Sequence, residues 1–580
     1  MNPMPLTSLL ALAADASATP AAAAGAASAG GWILPLLIVV PVVFAVLIGS
    51  LREASAAKLG LAGSLVFFAL TLVAMFAYDW SDAAAYGLTA RVDWIREFGL
   101  SFSLGADGVS MVLIALTGLL APVCVLVSLT AIDRRRKLFY AWLMALQAAM
   151  IGVFAARDLL VFYISFEFTL LPMYILISVF GSTNRKKAAT KFFLYTFTGS
   201  LITLAGLFYV VYSFYEQHQE WTLDIAALGG HCRTLPLETQ AMVLAAMLAG
   251  FAVKVPLFPV HTWLPLAHTE APTAGSVVLA GVLLKLGTYG FYRFVLPFVP
   301  AAAYEYAPAI AVLSIVGILY AGLICWVQRD IKKLVAYSSV SHLGFCVLGL
   351  FTLNTTGLTG SVLYMINHGL STGALFCLIG FMYERYHTRD MDAFGGLAAR
   401  MPVWATFMVF FSMASVGLPG LNGFVSEFLC LIGTFQSSTD LATPANPGAT
   451  FGPLGPWFAA VAGVGMIIGA IYLLYMVGRS CFGPLREPDD GAGHHAHPVL
   501  PADLNAREIL TLAPLAVLCV VLGLFPKPLI DAVEPSVVAT VDAVRRHAIA
   551  PADGAHGSTL PVPVDAARSR APAAPGPVHP

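Results

Sequence analysis

The sequence predicts an all-α polytopic membrane protein with about fourteen transmembrane helices. Apolar residues make up 58% of the 580 residues, charged residues make up only 11%, and the mean hydropathy is +0.81. A soluble globule of this length cannot hide so much apolar surface in its core, whereas a chain surrounded by lipid requires it. The apolar residues also fall into separate runs, each long enough to cross a bilayer as a helix.

These runs define the predicted spans 1 to 14. They cover residues 32–50, 59–78, 108–131, 138–156, 158–180, 189–214, 238–258, 273–296, 306–327, 333–351, 358–382, 402–435, 456–480 and 508–526. The run 402–435 is ambiguous, because as one helix it would stretch roughly 50 Å, well beyond the hydrocarbon core. Gly417, Pro419, Gly420 and Gly423 favour a broken helix instead.

The segments outside the spans are predicted to be irregular. Residues 1–31 are rich in alanine and carry no lysine or arginine, which favours a flexible extension over a cleaved signal peptide. Residues 531–580 are predicted to form a largely disordered tail. His494, His495 and His497 lie between spans 13 and 14, where a solvated loop is favoured over a metal site.

A broken helix with an ionisable residue occurs twice. Span 7 carries Lys254 and Pro256, and span 12, five spans later, carries Pro419 and Glu427. Because five is odd, two five-helix units must insert with opposite orientations, as in transporters built from inverted repeats. The predicted units are spans 1–3 in 32–131, a first repeat (spans 4–8) in 132–300, a second repeat (spans 9–13) in 301–482, and a loop with span 14 in 483–530.

The basic residues predict the orientation, because cytoplasmic loops collect lysine and arginine. They are concentrated after odd-numbered spans and include Arg52, Lys58, Arg134, Arg135, Arg136, Lys137, Arg185, Lys186, Lys187, Arg329, Lys332, Lys333, Arg385, Arg389, Arg479 and Arg486. Loops after even-numbered spans hold few of them. Both termini are therefore predicted on the periplasmic side of a bacterial inner membrane.

Charge and cysteine content exclude several other classes of protein. The net charge is -1 and the basic residues are scattered in short loop clusters, so no nucleic-acid surface is predicted. The eight cysteines lie at 124, 232, 325, 346, 377, 430, 481 and 519, without CxxC or Cys/His spacing. Iron–sulfur and zinc sites are therefore not expected, and no bound cofactor or metal is predicted for this chain.

Residues 254–285 are the stretch around which the candidate chemistry is arranged. Lys254 and Lys285 are embedded in apolar runs, and a lysine near the bilayer centre costs roughly 2.5 to 3.5 kcal/mol. Pro256, Pro259 and Pro265 are predicted to break helical continuity, which is tolerated at membrane depth only beside protein or water. The pattern predicts a broken helix at a transport site.

Six ionisable residues are predicted inside the membrane. They are Glu167 in span 5, Lys254 in span 7, Lys285 in span 8, His342 in span 10, His368 in span 11 and Glu427 in span 12. Four of these, Glu167, Lys285, His342 and His368, lie roughly 14 to 20 Å from the nearest loop, near the midplane of a ~30 Å core. Titratable groups at one depth predict a lateral proton relay, with Glu167 as the carboxylate partner of Lys254.

These residues also have structural interpretations. A buried Glu167–Lys254 pair is compatible with a neutral bridge, and His342 and His368 are compatible with hydrogen-bonded packing residues. The presence of six such residues favours transport.

The turn after span 7 leaves two interpretations open. It carries His261, His268 and Glu270, which either admit protons or satisfy the turn itself. Asp107 and Asp158 stand where helices begin and are predicted to cap them.

The stretch from His261 to Lys285, HTWLPLAHTEAPTAGSVVLAGVLLK, resembles the signature of antiporter-like subunits of respiratory complex I and of Mrp-type cation/proton antiporters. The Ala-His-x-x-Ala-Pro form and the fourteen spans without a long lateral helix are most similar to the subunit M branch, which is related to mitochondrial chain 4. Leu266 departs from the pattern, because many relatives carry an acid there, which weakens the case for an acidic proton funnel. The resemblance covers about residues 32–530 and is most specific at 158–187, 254–293 and 329–346.

The resemblance implies a role for each of the six intramembrane residues. Glu167 matches the essential carboxylate, Lys254 its protonatable partner, Lys285 the central lysine, Glu427 the exit glutamate, and His342 and His368 the connecting axis.

The function implied is that of a proton-translocating membrane subunit of NADH-quinone oxidoreductase. Such a subunit couples quinone reduction elsewhere in the complex to pumping, so NADH, flavin, iron–sulfur clusters and quinone are expected on partner subunits. The expected partners are other membrane subunits, especially the sister antiporter-like subunits on either side, and lipids. Two alternatives remain open, namely an Mrp-type cation/proton antiporter subunit and a largely structural membrane spacer.

Overall fold

The computed structural model of the chain describes residues 30–439, 448–488 and 502–548. Within these residues, thirteen helices are long and apolar enough to cross a membrane, which confirms a helical polytopic protein. The helices of spans 1 to 7 are Ile33–Ser50, Ala56–Ala77, Gly108–Ala131, Arg136–Ala155, Leu159–Phe168 with Leu170–Phe180, Arg185–His218, and Leu237–Lys254. Those of spans 8 to 14 are Thr273–Phe298, Pro300–Trp326, Ile331–Leu350, Thr355–Tyr386, Pro402–Val416 with Asn422–Gln436, Pro456–Cys481, and Ala506–Leu524.

Both predicted breaks are confirmed. The helix of span 7 ends at Lys254, and a turn over residues 255–262 leads into a second short helix, Trp263–Glu270. Span 12 ends its first half at Val416, where Gly417 adopts a left-handed conformation with φ +83°, and its second half begins at Asn422. Each break therefore lies in the fourth helix of a predicted five-helix unit.

The centre of the bundle is formed by spans 8 and 11. An 18-residue stretch of each is completely buried, whereas the corresponding stretches of spans 1 and 14 are only 28% buried. The two central helices approach closely where small residues meet, since a Cβ added to Gly369 would lie 2.9 Å from the carbonyl oxygen of Gly281. Lys285 and His368 therefore lie on the two helices that are best shielded from lipid.

A small antiparallel hairpin joins spans 2 and 3, and the helical periodicity did not predict it. Its strands are β1, Gly87–Ile95, and β2, Leu100–Ala106, and they are linked through a turn in which Gly99 has φ +62°. Other short elements are the helical turns Glu53–Ser55, Trp80–Asp82, Arg96–Phe98 and Leu397–Ala399, the helix Ile225–Cys232, and the parallel pair Ser437–Ser438 with Thr450–Phe451.

The prediction of a largely disordered tail over 531–580 is wrong for residues 531–548. They belong to the helix Lys527–Ala548, which buries Val533, Ser536, Val537, Val541 and Val544 on one face. This three- and four-residue spacing is typical of an amphipathic helix, too polar on its other face to be recognised by hydropathy. Residues 549–580 lie outside the described residues, as do residues 1–29 and the histidines at 494, 495 and 497.

Candidate functional site

Lys254 lies at the last residue of the first helix of span 7, beside the break. Its helix cannot continue because Pro256 and Pro259 supply no backbone donor, and the indole nitrogen of Trp263 donates to the carbonyl of Val253 at 2.9 Å instead. The Lys254 side chain is buried, with 3% of its surface exposed. The break thus holds an ammonium group inside the protein rather than at the lipid surface.

The partners of Lys254 come from span 5. Its Nζ donates to the Thr169 hydroxyl at 3.1 Å and lies 4.5 Å from the centre of the Phe166 ring. Thr169 is the joint between the two helices of span 5, two residues beyond Glu167. Glu167 is half-buried, its Oε1 has no hydrogen-bond partner, and it forms no ion pair with Lys254 within 4.0 Å. The Glu167 charge therefore acts on Lys254, but the two residues do not form a salt bridge.

Lys285 is completely buried in span 8 directly after a π-helical segment, Leu279–Leu283. Such a segment shifts hydrogen bonding from i+4 to i+5 and so leaves a backbone carbonyl for a side chain. The Lys285 Nζ donates to the carbonyl of Ala280 and lies 2.8 Å from Nδ1 of His368. Span 8 also packs directly on the break of span 7, since a Cβ on Gly287 would lie 2.9 Å from the backbone nitrogen of Val255.

The two predicted histidines and Glu427 are grouped together. The ring centres of His368 and His342 are 6.0 Å apart, and Nδ1 of His342 lies 3.4 Å from Oε1 of Glu427. The Tyr364 hydroxyl lies 2.7 Å from Nδ1 of His342 and donates to Oε1 of Glu427 at 2.6 Å. Nε2 of His342 is 3.2 Å from the hydroxyl of Tyr472. Five side chains from four spans therefore form one polar cluster.

Two atoms of this cluster have no hydrogen-bond partner, namely Nε2 of His368 and Oε2 of Glu427. Both residues line a cavity of about 10 Å³, together with His342, Tyr364, Asn367, Ser371, Thr372, Ala414, Ser415, Gly423 and Ser426. That volume is about the minimum needed for one water molecule, and the polar lining offers it partners.

In the turn after span 7, Glu270 is hydrogen-bonded within the turn, whereas the ring of His268 makes no hydrogen bond. Oε2 of Glu270 accepts from the Ser182 hydroxyl at 2.6 Å and from the backbone nitrogen of Asn184 at 2.8 Å, so Glu270 satisfies the turn. His268 is fully buried against the Phe376 ring at 4.6 Å, and neither of its ring nitrogens has a partner. Burial, reinforced by nearby lysine charges, holds the pKa of His268 well below its usual value.

His261 also lies in this turn and is buried. Its ring lies between the aromatic rings of Phe258 and Tyr320, with centres 5.8 and 5.7 Å away. Burial lowers the pKa of His261 as well. Both histidines of the turn therefore favour the neutral form.

Sequence reasoning missed Lys332 because the residue was assigned to a basic loop. It is 7% exposed, and its Nζ donates to the carbonyl of Ala271 at 2.5 Å, at the end of the turn after span 7. Lys332 lines a cavity of about 460 Å³ that Asp133, Glu270, Glu384 and Arg389 also border. The available signal was its position two residues after Asp330, which caps span 10 and so draws the following residues into the helix.

The two predicted capping aspartates are confirmed. Asp107 accepts from the backbone nitrogen of Ser110 at 2.8 Å, and Asp158 accepts from that of Leu160 at 2.9 Å. Asp107 also forms a 2.6 Å ion pair with Arg293, which the sequence did not indicate. Among the described residues, no group of three or more histidine, cysteine or acidic side chains is arranged to hold a metal ion.

Comparison with known proteins shows to which family the chain is similar. Residues 156–451 match the family described as NADH:quinone oxidoreductase/Mrp antiporter, TM. NADH-quinone oxidoreductase subunit M of Rickettsia bellii is 37% identical over 474 residues, 82% of this chain and 90% of that protein. NADH-ubiquinone oxidoreductase chain 4 of Marchantia polymorpha is 38% identical over 476 residues, 82% of this chain and 89% of that protein.

A solved structure of respiratory complex I from Thermus thermophilus contains a chain of the same fold. The TM-score is 0.75 at 28% identity, over 88% of this chain and 99% of that chain. Sequence and fold therefore agree over nearly the whole described bundle, and the chain belongs to the subunit M family of NADH-quinone oxidoreductase, the antiporter-like membrane subunits of respiratory complex I.

Proposed function

We propose that this chain conducts protons through the membrane arm of NADH-quinone oxidoreductase, driven by quinone reduction on other subunits. The observation that carries the proposal is the row of contacts from Lys285 through His368 and His342 to Glu427, four buried side chains of which the first two lie on the completely buried spans 8 and 11. A buried ion pair with a purely structural role needs hydrogen-bond partners for all of its polar atoms. In this row, Nε2 of His368 and Oε2 of Glu427 have no partner and lie beside a cavity of the size of a water molecule.

Lys254 is proposed to regulate the protonation of Lys285, the first residue of the row. Its ammonium group contacts Thr169 and Phe166, and the Glu167 charge acts on it although the two residues form no ion pair within 4.0 Å. Movement of the Glu167 charge toward or away from Lys254 changes the affinity of Lys254 for its proton. Span 8, which carries Lys285, packs on this break at Gly287. In the proposed relay a proton on Lys254 disfavours a proton on Lys285, because like charges repel.

The cavity beside Lys332 is the proposed cytoplasmic entrance. His268 is buried near this entrance, and the charges of Lys332 and Lys285 both act on its ring. In this orientation both chain termini face the periplasm of a bacterial inner membrane, as the basic loops predict. The redox groups, NADH, flavin, iron–sulfur clusters and quinone, are carried by partner subunits, and this chain contributes the proton path.

The decisive test is Lys285→Arg in the assembled complex. Arginine keeps the positive charge but does not release a proton in the relevant range, so pumping per NADH oxidised should fall strongly while assembly is retained. Lys527→Arg is the matched control, because the Lys527 side chain is 81% exposed and pairs with Asp531 rather than with any residue of the row. Wild-type pumping by Lys285→Arg would show that fixed charge is sufficient, and the relay would have to be abandoned.

A secondary cation/proton antiporter is the second candidate, because the matching family includes Mrp antiporters. The two functions differ in what drives transport. Sodium/proton exchange by the purified chain, in liposomes without quinone reduction, would favour the antiporter. Loss of redox-linked pumping in an assembled Lys254→Met complex would reject the role of a structural spacer.

A further inference from the structure

Tyr364 occupies a position in the cluster that the row of charged residues does not explain. It lies on span 11 one helical turn before His368, is 3% exposed, and places its hydroxyl between two titratable groups. The oxygen is 2.7 Å from Nδ1 of His342 and 2.6 Å from Oε1 of Glu427. Both separations are in the range of good hydrogen bonds.

The direction of these bonds follows from the number of protons available. A phenol carries a single proton, and Tyr364 donates it to Glu427. The Tyr364 oxygen must therefore accept from His342, which requires Nδ1 of His342 to carry a hydrogen. The two hydrogen bonds point in the same direction: His342 donates to Tyr364, and Tyr364 donates to Glu427.

We propose that Tyr364 transfers protons from His342 to Glu427 as a bridging member of the relay, an inference that rests on the proposed function. In one concerted step a His342 ring that carries hydrogens on both nitrogens loses the one on Nδ1 and becomes neutral as a new O–H bond forms on Tyr364, while the original O–H bond of Tyr364 breaks and the Glu427 carboxylate gains that proton on Oε1. Tyr364 is a neutral phenol before and after the step. Rotation of its hydroxyl back toward Glu427 resets the bridge once Glu427 has lost its proton.

A second branch reaches the other oxygen of Glu427. Nε2 of His368 and Oε2 of Glu427 both lack partners and both border the 10 Å³ cavity, so a single water there joins them. Protons from Lys285 thus have a water branch through His368 and a tyrosine branch through His342. Removal of the Tyr364 hydroxyl should therefore slow transfer to Glu427 without abolishing it.

The test compares three variants in proteoliposomes that contain the whole complex. Tyr364→Phe should lower protons pumped per NADH oxidised by about two- to tenfold, less than Glu427→Gln. Tyr140→Phe is the matched control, because Tyr140 is also fully buried but its hydroxyl has no hydrogen-bond partner. Wild-type pumping by Tyr364→Phe, or an equal loss in Tyr140→Phe, would overturn the role of Tyr364.

A fluorinated tyrosine at position 364 separates proton transfer from positioning. It keeps the shape and the hydroxyl but makes the phenol more acidic, so the pH profile of pumping should shift if the hydroxyl carries protons. An unchanged profile would show that Tyr364 only holds Glu427 in place. This variant also applies if Tyr364→Phe fails to assemble.

Failure of this inference is distinguishable from failure of the proposed function. If Glu427→Gln pumps normally, the relay itself is rejected. If Glu427→Gln loses pumping while Tyr364→Phe and the fluorinated variant behave as wild type, only the tyrosine branch is rejected.

Discussion

At the scale of single residues, the sequence reveals charged side chains better than their neutral partners. Lys254, Lys285 and Glu427 stand out because ionisable residues in apolar runs are costly. Thr169 and Tyr364 do not stand out, since threonine and tyrosine are common in membrane helices. Their roles depend on contacts between residues 85 and 63 positions apart, which no local pattern encodes.

Glu167 provides the first prediction at this scale. Glu167→Gln keeps the size and hydrogen-bonding capacity of the side chain but removes the charge that acts on Lys254. Pumping per NADH oxidised should fall at least severalfold in an assembled complex. Glu305→Gln, an exposed residue of span 9, should leave pumping unchanged. A Glu167→Gln complex that pumps normally would mean that Glu167 and Lys254 are structural.

His268 provides a prediction about stability and pH. Its pKa is held well below about 6.5, the usual value in an unfolded chain, mainly by burial. As pH falls below that value, the unfolded state takes up a proton before the folded state does, so folding stability is lost toward acid. His268→Phe should flatten the fall in melting temperature between about pH 7 and pH 5.

The control for His268 is His387, which is exposed. His387→Phe should leave the dependence of melting temperature on pH as it is in the wild type. If His268→Phe and the wild type lose stability in parallel on acidification, a group other than His268 controls the effect.

At the scale of elements, hydropathy predicted the spans well because lipid imposes the same length and polarity on each one. Proline and glycine also located both breaks, since they act locally on the backbone. The hairpin before span 3 and the helix Lys527–Ala548 were missed for a different reason. The strands of the hairpin are too short to span a membrane, and the 22-residue helix is apolar on one face only. Both elements are also held by contacts with distant parts of the chain.

The break in span 12 gives the prediction at this scale. Gly417 has φ +83°, and a Cβ there would lie 2.6 Å from Oε2 of Glu427. Gly417→Ala should therefore destabilise the protein by about 1 to 2 kcal/mol from the left-handed backbone alone, and should also displace the Glu427 carboxylate. The measurements are the melting temperature of the complex and its pumping rate.

Gly463→Ala is the matched control for the break. Gly463 lies within the helix of span 13, and nothing stands within 4 Å of its added Cβ. Alanine favours a helix over glycine, so Gly463→Ala should leave stability unchanged or slightly higher. Similar effects of the two substitutions would show that neither the positive φ of Gly417 nor its closeness to Glu427 determines the stability.

At the scale of the whole molecule, the arrangement separates a buried centre from lipid-facing helices. Lys285 and His368 lie on spans 8 and 11, which their neighbours bury completely, and His342 lies on span 10, which is 89% buried over its most apolar stretch. The surrounding helices therefore shield this part of the row from lipid. Spans 8 and 11 are less apolar than the lipid-facing spans 1, 2, 13 and 14, but span 7 is equally polar and less than half buried, so hydropathy alone does not identify the central helices. Only the packing of many helices decides which residues avoid lipid.

The helix Lys527–Ala548 is the subject of the prediction at this scale. Ser536 donates to the carbonyl of Ala83 at 2.5 Å, and Thr540 donates to the Tyr292 hydroxyl at 3.2 Å, so this helix closes over the end of span 8. A chain ending at residue 526 should insert but should be cut faster by protease between residues 79 and 107. Limited proteolysis of membranes measures this, and equal rates of cutting would contradict the stabilising role of the helix.

That closure has a consequence for the order in which the protein is made. The hairpin that ends at Ala106 leaves the ribosome long before Ser536 is added, by roughly 20 to 90 s at 5 to 20 residues per second. During this interval the carbonyl of Ala83 has no contact with Ser536, because Ser536 has not yet been translated. The final docking therefore follows synthesis of the helix Lys527–Ala548, and a chain that ends before this helix leaves Ala83 and Tyr292 without their partners Ser536 and Thr540.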